Sequence, residues 1–255
     1  MTGSTYGTPL PGMPKHRLTG RLIVVEGADG SGRTTEVGLL KEWLEVQGHA
    51  VVDTGLRRST LVSEQIDEAK RGHTLAPTTM ALFYAVDFAD QLENKIIPAL
   101  SAGSTVLADR YIYTLMARAI ARGASREWAQ ELYQFALVPD LVLFLDARPD
   151  ILLHRAIMKY GSLDYWESGM DLSLSPDRFD SFFLYQDRLR REFEWMAKPY
   201  GFHFLDANRH PDAVHADVRR IVAPLYGKAA DRPSRTRGKG PASPATSRAP
   251  STAPA

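Results

Sequence analysis

Cysteine is absent from the 255-residue chain, so disulfide bonds and thiolate metal sites are excluded. Long apolar runs are absent too. No stretch approaches the ~20 residues that span a bilayer, and the N-terminus lacks the apolar core of a signal peptide. These absences predict a cytoplasmic protein that has no membrane partner.

The main body of the chain lacks an excess of positive charge. Residues 228–255 hold six Lys or Arg and one Asp, so they carry +5, and the remaining 25 basic and 29 acidic residues carry −4. A mildly acidic body gives no electrostatic case for binding nucleic acid. We therefore expect no nucleic-acid partner.

Both ends of the chain lack hydrophobic periodicity. Residues 1–19 are rich in Gly, Pro, Thr and Ser and predict a flexible leader. Residues 228–255 have no apolar side chain larger than alanine and predict a disordered basic tail rich in Pro, Ala and Ser. The tail either contacts an anionic surface or has no specific function, and we favour the second. Residues 20–227 remain as one domain.

Short apolar runs alternate with helical patterns along this domain. The first run, RLIVVE at 21–26, is rich in β-branched residues and is typical of a strand buried on both faces. Four more strands are predicted at 49–54, 104–109, 140–146 and 201–207. Helices are predicted between them, one of them at 125–137. This alternation predicts an α/β fold with a covered parallel sheet, whose ligand lies at the carboxyl ends of the strands.

A glycine-rich loop follows the first strand, and a predicted helix at 33–47 follows the loop. The loop fits the pattern G-x-x-x-x-G-K-[ST], except that Arg33 stands in place of lysine. Glycines let successive backbone N–H groups point inward and bind phosphate oxygens at a helix N-terminus. The predicted nucleotide-binding residues are Gly27, Ala28, Asp29, Gly30, Ser31, Gly32, Arg33, Thr34 and Thr35. A purely structural glycine turn is the alternative.

Two side chains carry the chemistry expected of this loop. The hydroxyl of Thr34 is predicted as a ligand of Mg²⁺. Arg33 is predicted as catalytic because it keeps the positive charge that faces the β- and γ-phosphates, although arginine is planar, longer and bidentate. It either bridges the phosphates or crowds them, and a misplacement of about 1 Å can cost ~100-fold in rate. Retained activity is the favoured outcome.

Asp109 and Arg110 directly follow the third predicted strand. A carboxylate at that edge can hold a magnesium-bound water or accept a hydrogen bond, so Asp109 is predicted as catalytic and metal-binding. An adjacent arginine can clamp the phosphate of an acceptor, so Arg110 is predicted as catalytic and acceptor-binding. A salt-bridged turn without a catalytic role is the alternative.

The chain resembles the thymidylate kinases over residues 20–226, through the segments VVEGADGSGRTT, TGLRRSTLVSEQI, LFYAVDFADQ, LADRYIYT and PDLVLFLDARPDILLHR. The resemblance implies the P-loop nucleoside monophosphate kinase fold, a five-stranded parallel sheet sandwiched by helices with a short lid. It implies an enzyme that transfers the γ-phosphoryl group of ATP, bound with Mg²⁺, to a nucleoside monophosphate, with dTMP as the default. Members of the family often dimerise, so a homodimer is also an expectation.

The half of the site that would bind the acceptor departs from the family. Tyr84 falls where the family has an aromatic ring that stacks on the base, although it could equally be part of the core. Arg57 or Arg58 could supply a charge that faces the acceptor phosphate. Phe88 stands where an arginine is expected, and Arg118-Ala119 replaces a tyrosine–glutamine pair that reads thymine. Changing such polar groups changes the substrate, so an acceptor other than dTMP is the alternative.

The lid departs as well. The family has a mobile lid at residues 155–175, and many members carry catalytic arginines there, where this chain has Tyr160 and Tyr165. A missing cation can cost about 10³-fold in rate. Arg33, Arg155 and Lys159 are the candidates to compensate, and Arg155 is predicted as catalytic.

Three hypotheses stay open at this point. The first is a thymidylate kinase. The second is a P-loop kinase for another acceptor, such as a modified pyrimidine nucleotide or a nucleoside. The third is a nucleotide-binding regulator without turnover, which the arginine in the loop and the sparse lid suggest.

Overall fold

The computed structural model describes residues 3–12, 18–73 and 75–227. The predicted basic tail at 228–255 lies outside the described residues. Residues 1–2 and 13–17 of the predicted leader lie outside them too. Among the described residues, no helix combines the length and apolarity that crossing a bilayer requires.

One parallel sheet organises the molecule. Its strands are β1 (Arg21–Gly27), β2 (Val51–Gly55), β3 (Thr105–Asp109), β4 (Leu141–Asp146) and β5 (Phe202–Asp206). They lie in the order β2-β3-β1-β4-β5. Strand β1 is central, with β3 on one side and β4 on the other, so the connections leave it in opposite directions. Such a switch point opens a crevice at the carboxyl ends of the strands.

Helices cover both faces of the sheet. They are α1 (Arg33–Val46), α2 (Ser63–Gly72), α3 (Pro77–Gln91), α4 (Ile97–Ser101), α5 (Ile112–Ala121), α6 (Arg126–Leu132), α7 (Pro149–Tyr160), α8 (Arg178–Ala197) and α9 (Pro211–Val222). A π-helical segment, Leu92–Ile96, joins α3 to α4, and 3₁₀ turns occur at Met170–Leu172 and Ala223–Tyr226.

The alternation of side chains along β1 explains why both faces are covered. Leu22 and Val24 point into the core that α3, α5 and α8 share, whereas Ile23 and Val25 point into the core of α1, α7 and α9. All four side chains are fully buried. A strand that is apolar on both faces must be covered on both faces. The predicted α/β sandwich is therefore confirmed.

Part of the predicted leader packs on the domain, and this shortens a predicted helix. The backbone N–H of Tyr6 donates to the carbonyl of Ala136 at 3.1 Å, and that of Val138 donates to the carbonyl of Ser4 at 2.9 Å. The hydroxyls of Tyr6 and Tyr113 lie 2.6 Å apart. Residues 4–7 therefore pack against the domain, and the flexibility of the leader stays a prediction. The predicted helix 125–137 is wrong beyond Leu132, because the backbone that follows it bonds to this segment instead.

Candidate functional site

The loop between β1 and α1 depends on glycine backbone geometry. Gly27 has a φ of 145°, and a Cβ there would lie 2.6 Å from the Ser31 hydroxyl and 2.8 Å from the Leu145 carbonyl. Gly32 caps α1 with a φ of 98°. Only glycine adopts these conformations without strain or collision. The loop therefore brings its backbone N–H groups to the positive end of α1, as an anion site requires.

Arg33 lies folded against the inside of this loop and is 8% exposed. Its Nη1 donates to the carbonyl of Gly27 at 2.5 Å and to that of Ala28, and its Nε donates to Asp109 Oδ1 at 2.9 Å. A guanidinium has five N–H donors in a rigid plane, which allows these bonds at the same time. The arginine therefore holds the loop carbonyls together and ties the loop to the end of β3.

Asp109 divides its carboxylate between two residues of α1. Oδ1 accepts from Arg33, and Oδ2 accepts from the hydroxyl of Thr34 at 2.9 Å. An oxygen from a hydroxyl and one from a carboxylate are the hard ligands that Mg²⁺ prefers, with water and phosphate completing its shell. The donor set of Thr34 and Asp109 therefore fits magnesium.

Asp29 joins the loop to the residues after β3. Its carboxylate accepts hydrogen bonds from Arg110 and, at 2.9 Å, from Arg118, and it lies 3.7 Å from Arg33 Nη2. Burial alone would raise the pKa of Asp29, but Arg110, Arg118 and Arg33 together hold that pKa well below its usual range. Burial and the charge of Arg33 lower the pKa of Arg110 to about 10. Asp29 thus remains ionised among three guanidinium groups.

Two candidate arginines have left-handed backbones, with φ values of 75° at Arg110 and 59° at Arg57. Non-glycine residues hold this conformation only where their surroundings fix it. The Asp87 carboxylate supplies that constraint after β2, since it accepts from the backbone N–H groups of Arg57 and Ser59, each at 2.9 Å. The Arg57 side chain pairs with Asp67.

The loop faces one side of an open cleft, which we call the loop cleft. Its other walls include Arg155, Lys159, Tyr160 and Arg209. Arg155 donates to the carbonyls of Gly30 and Ser31 at 3.3 and 3.4 Å and to that of Ala207 at 3.0 Å. In this arrangement Arg155 braces the loop against the end of β5. The ammonium of Lys159 lies 4.9 Å from the ring centre of Tyr160.

A second cleft, which we call the α3–α5 cleft, lies between these two helices and α2. Tyr84 lines it from α3 and is also 7% exposed within the core, so both expectations for this ring are compatible with its position. Arg118 of α5, Lys70 of α2 and Glu167 line the same cleft. Glu167 also lines the loop cleft, so the two clefts adjoin. Arg57 faces a separate surface depression and does not line the α3–α5 cleft.

Residues 161–175, which we call the cover segment, close the α3–α5 cleft on one side. The indole N–H of Trp166 donates to the backbone carbonyl of Lys70 at 3.0 Å. Arg122 holds Asp171 through two bonds of 2.7 and 3.1 Å, and both side chains are nearly buried. The cover segment, which belongs to the predicted lid, is therefore docked on α2 and α5 and brings aromatic and acidic residues to this cleft.

Sequence reasoning did not assign roles to Lys70 and Glu167, and it noted Arg118 only as a departure. Nothing in the local sequence around these residues distinguishes them from surface charges. They meet because three separate parts of the chain converge on one cleft. By contrast, the predicted residues of the loop, together with Asp109 and Arg110, lie together as expected.

A parallel sheet with a phosphate-binding loop at its switch point, an acid–arginine pair after the neighbouring strand and a second adjoining cleft define a P-loop nucleotide kinase. The sequence profile of thymidylate kinase matches residues 25–218. A probable thymidylate kinase 2 of Saccharolobus solfataricus is 33% identical over 206 residues, which cover 80% of this chain and 96% of the relative.

Two further relatives extend this comparison. A probable thymidylate kinase of Pyrococcus abyssi is 38% identical over 216 residues, covering 80% of this chain and 97% of the relative. A thymidylate kinase of Ruegeria pomeroyi is 35% identical over 213 residues, covering 80% and 95%. The chain belongs to the thymidylate kinase family. The predicted family and enzyme class, a nucleoside monophosphate kinase that uses ATP, are thereby confirmed.

Proposed function

We propose that this protein transfers the γ-phosphoryl group of magnesium-bound ATP to dTMP and releases dTDP and ADP. The observation that carries this proposal is the position of Asp109. Its two oxygens join the loop arginine and the loop threonine. The next residue, Arg110, reaches Asp29 of the loop cleft, whose carboxylate also binds Arg118 of the α3–α5 cleft. Donor and acceptor phosphates would therefore meet above the end of β3.

On the donor side, the backbone N–H groups of residues 27–35 bind the β- and γ-phosphates, and Arg33 supplies the positive charge. Thr34 and Asp109 hold Mg²⁺, which neutralises charge on the phosphates when it is bound. Arg155 acts by fixing the loop, because its bonds to Gly30 and Ser31 hold two loop carbonyls in place. Preorganised positive groups of this kind stabilise the charge that develops during transfer.

On the acceptor side, the phosphate of dTMP binds to Arg110, whose guanidinium already lies beside the loop through Asp29. Its base enters the α3–α5 cleft and stacks on Tyr84, an interaction worth ~1–3 kcal/mol for each base in comparable sites. Arg57 lies at the neighbouring depression and contributes to the acceptor side by its charge. The cytoplasmic location and the homodimer remain predictions.

A coupled assay of ADP release tests the proposal with MgATP and a panel of acceptors, namely dTMP, dUMP, dCMP, dGMP and thymidine. We expect the highest kcat/KM with dTMP and the appearance of dTDP in equal amount to ADP. Faster turnover with another acceptor would replace dTMP by that compound. Tight MgATP binding without ADP release for any acceptor would contradict the kinase function.

A further inference from the structure

Two ionisable groups in the α3–α5 cleft have no partner among the described residues. The ammonium of Lys70 and the carboxylate of Glu167 both line the cleft, yet neither has a hydrogen bond or an ion pair within the part of the chain that the structure describes. Both residues are half-buried, so water reaches their charged ends in the cleft. Charged ends that face a cleft without a protein partner are free to bind a ligand that enters it.

Arg118 brings a third charge to the same place. One of its N–H groups donates to Asp29 at 2.9 Å, and a guanidinium has five, so it retains donors for a ligand. Phe88 of α3 packs edge-on against Tyr133 at the wall of the cleft, and the α3 residues that line the cleft carry no charge. The positive charge on this side of the cleft therefore comes from α5.

The three charges interact with one another. Burial and the charge of Asp29 raise the pKa of Glu167 to about 7, while Arg118 acts against that shift. Burial and the charges of Arg118 and Arg57 lower the pKa of Lys70 to about 8, while Asp164 and Glu167 act against it. Glu167 thus lies within electrostatic range of both cations. Once Glu167 has lost its proton, the cleft presents two groups that only donate hydrogen bonds and one that only accepts them.

We propose that Arg118, Glu167 and Lys70 form the base-reading set of the acceptor site and select a 2,4-dioxopyrimidine. This inference rests on the proposed function. Thymine and uracil present a carbonyl, an N–H and a second carbonyl along one edge, which is the complement of a donor, an acceptor and a donor. The two cations bind the carbonyl oxygens, and the carboxylate accepts from the N–H between them.

Cytosine does not match this set. Its edge presents an amino group, an unprotonated ring nitrogen and one carbonyl, so a cation would face a donor and the carboxylate would face an acceptor. A bound base would shield these charged groups from water, and leaving them unpaired there is costly, so the site should reject a base that does not match. Ala119 also lines the cleft, and its side chain has no polar group that could take over the role.

Equilibrium binding of dTMP, dUMP and dCMP to the full chain, measured by calorimetry without ATP, tests the assignment. We expect the native protein to bind dTMP and dUMP at least about 100-fold more tightly than dCMP. Glu167→Gln offers an amide that can donate to cytosine, so it should reduce this preference by about tenfold or more. Lys70→Met should weaken dTMP and dUMP by about tenfold and dCMP by less.

Matched controls make the same two kinds of substitution at residues outside the cleft. Glu131→Gln and Lys198→Met alter exposed side chains outside the cleft and should leave all three affinities unchanged. Circular dichroism melts would show that each variant is folded, and either cleft variant alone is sufficient for the test. Native-like discrimination in a folded Glu167→Gln protein would overturn the assignment, as would equal binding of dCMP and dTMP by the native protein.

The two proposals fail in different ways. Selective dTMP binding without formation of dTDP would leave the base-reading set intact and overturn the proposed reaction. Formation of dTDP by a Glu167→Gln protein with unchanged selectivity would leave the reaction intact and overturn the base-reading set. Binding and turnover measured on the same preparations therefore separate them.

Discussion

The two clefts of this site are assembled in different ways. The loop cleft is built around one continuous stretch, residues 27–35, and in our proposal the backbone of this stretch does most of the binding. The α3–α5 cleft is built from side chains of α2, α3, α5 and the cover segment, which are far apart in the chain. A binding site formed by backbone groups of one loop tolerates few substitutions in that loop. A binding site formed by separate side chains can change by substitution of one residue at a time. This difference explains why the donor half could be predicted from one stretch of sequence and the charged residues of the acceptor half could not.

Asp29 and Glu167 connect the two halves. Asp29 belongs to the loop but binds Arg110 and Arg118, which follow β3. Glu167 belongs to the cover segment but lines both clefts. A substitution at either residue can therefore affect both the donor half and the acceptor half. Its effects on the two halves are separated by measuring the binding of MgATP and of dTMP in separate experiments.

The largest effect should come from Asp109, whose carboxylate binds both Arg33 and Thr34 of the donor half. Asp109→Asn removes the charge that Arg33 and Thr34 share, so kcat should fall by on the order of 10²–10³-fold. The binding of dTMP in the absence of ATP should change little. Initial rates with saturating MgATP and dTMP, together with calorimetry for dTMP, check both parts. A variant with native kcat would show that Asp109 has only a structural role.

The next effect concerns the ion pair between Arg122 and Asp171, which holds the cover segment against the acceptor half. Asp171→Ala leaves Arg122 nearly buried without its carboxylate, which should lower the free energy of unfolding by about 3 kcal/mol. Chemical denaturation measures this change. The Asp171→Ala substitution should also weaken dTMP binding while MgATP binding is retained, because the cover segment docks on the α3–α5 cleft.

Asp187→Ala is the matched control for that variant. It removes a carboxylate that pairs with Arg191 on the surface of α8, where both side chains are more than half exposed. Such pairs contribute at most ~1 kcal/mol. Equal losses of stability in the two variants would contradict the view that the cover segment is held by a buried ion pair.

The limits of sequence-based prediction follow the same division. The loop, its flanking strand and helix, and Asp109 with Arg110 could be predicted because each depends on local pattern and on the common edge of a parallel sheet. The charged set of Lys70, Arg118 and Glu167 could not, because it depends on how α2, α5 and the cover segment pack. The end of α6 could not be predicted for a similar reason, since residues that follow Leu132 form hydrogen bonds with the distant segment 4–7.

A smaller effect is expected from the loop arginine. Arg33→Lys keeps the charge but cannot bind two loop carbonyls and Asp109 with the same planar geometry. We therefore expect kcat/KM for MgATP to fall by about tenfold. Steady-state kinetics at saturating dTMP measure it. An increase in turnover would mean that arginine impairs a loop still built for lysine.

The smallest effect is a pH dependence confined to the acceptor half. The free protein must lose the proton on Glu167, whose pKa is raised to about 7, and keep the proton on Lys70, whose pKa is lowered to about 8. The affinity for dTMP should therefore be highest between these values and fall about 2.5-fold from pH 7.5 to pH 6.5. The charged groups that set these values include Asp29, Asp164 and Arg118.

Glu167→Gln serves as the reference for this titration. It should lack the part of the acid limb that belongs to the carboxylate, while the titration of the dTMP phosphate itself is common to both proteins. The affinity for MgATP should not follow this profile. Identical pH profiles for dTMP binding in the native and Glu167→Gln proteins would place the titrating group elsewhere.

The most direct test of the account is a calorimetric titration of MgATP into the folded, full-length protein. If the backbone of residues 27–35 and Arg33 form a phosphate site, saturable heat with one ATP for each chain is expected. Gly27→Ala, which places a Cβ against Ser31 and Leu145, should abolish that heat in a protein that still folds. Absence of any heat with the native protein would contradict the central claim.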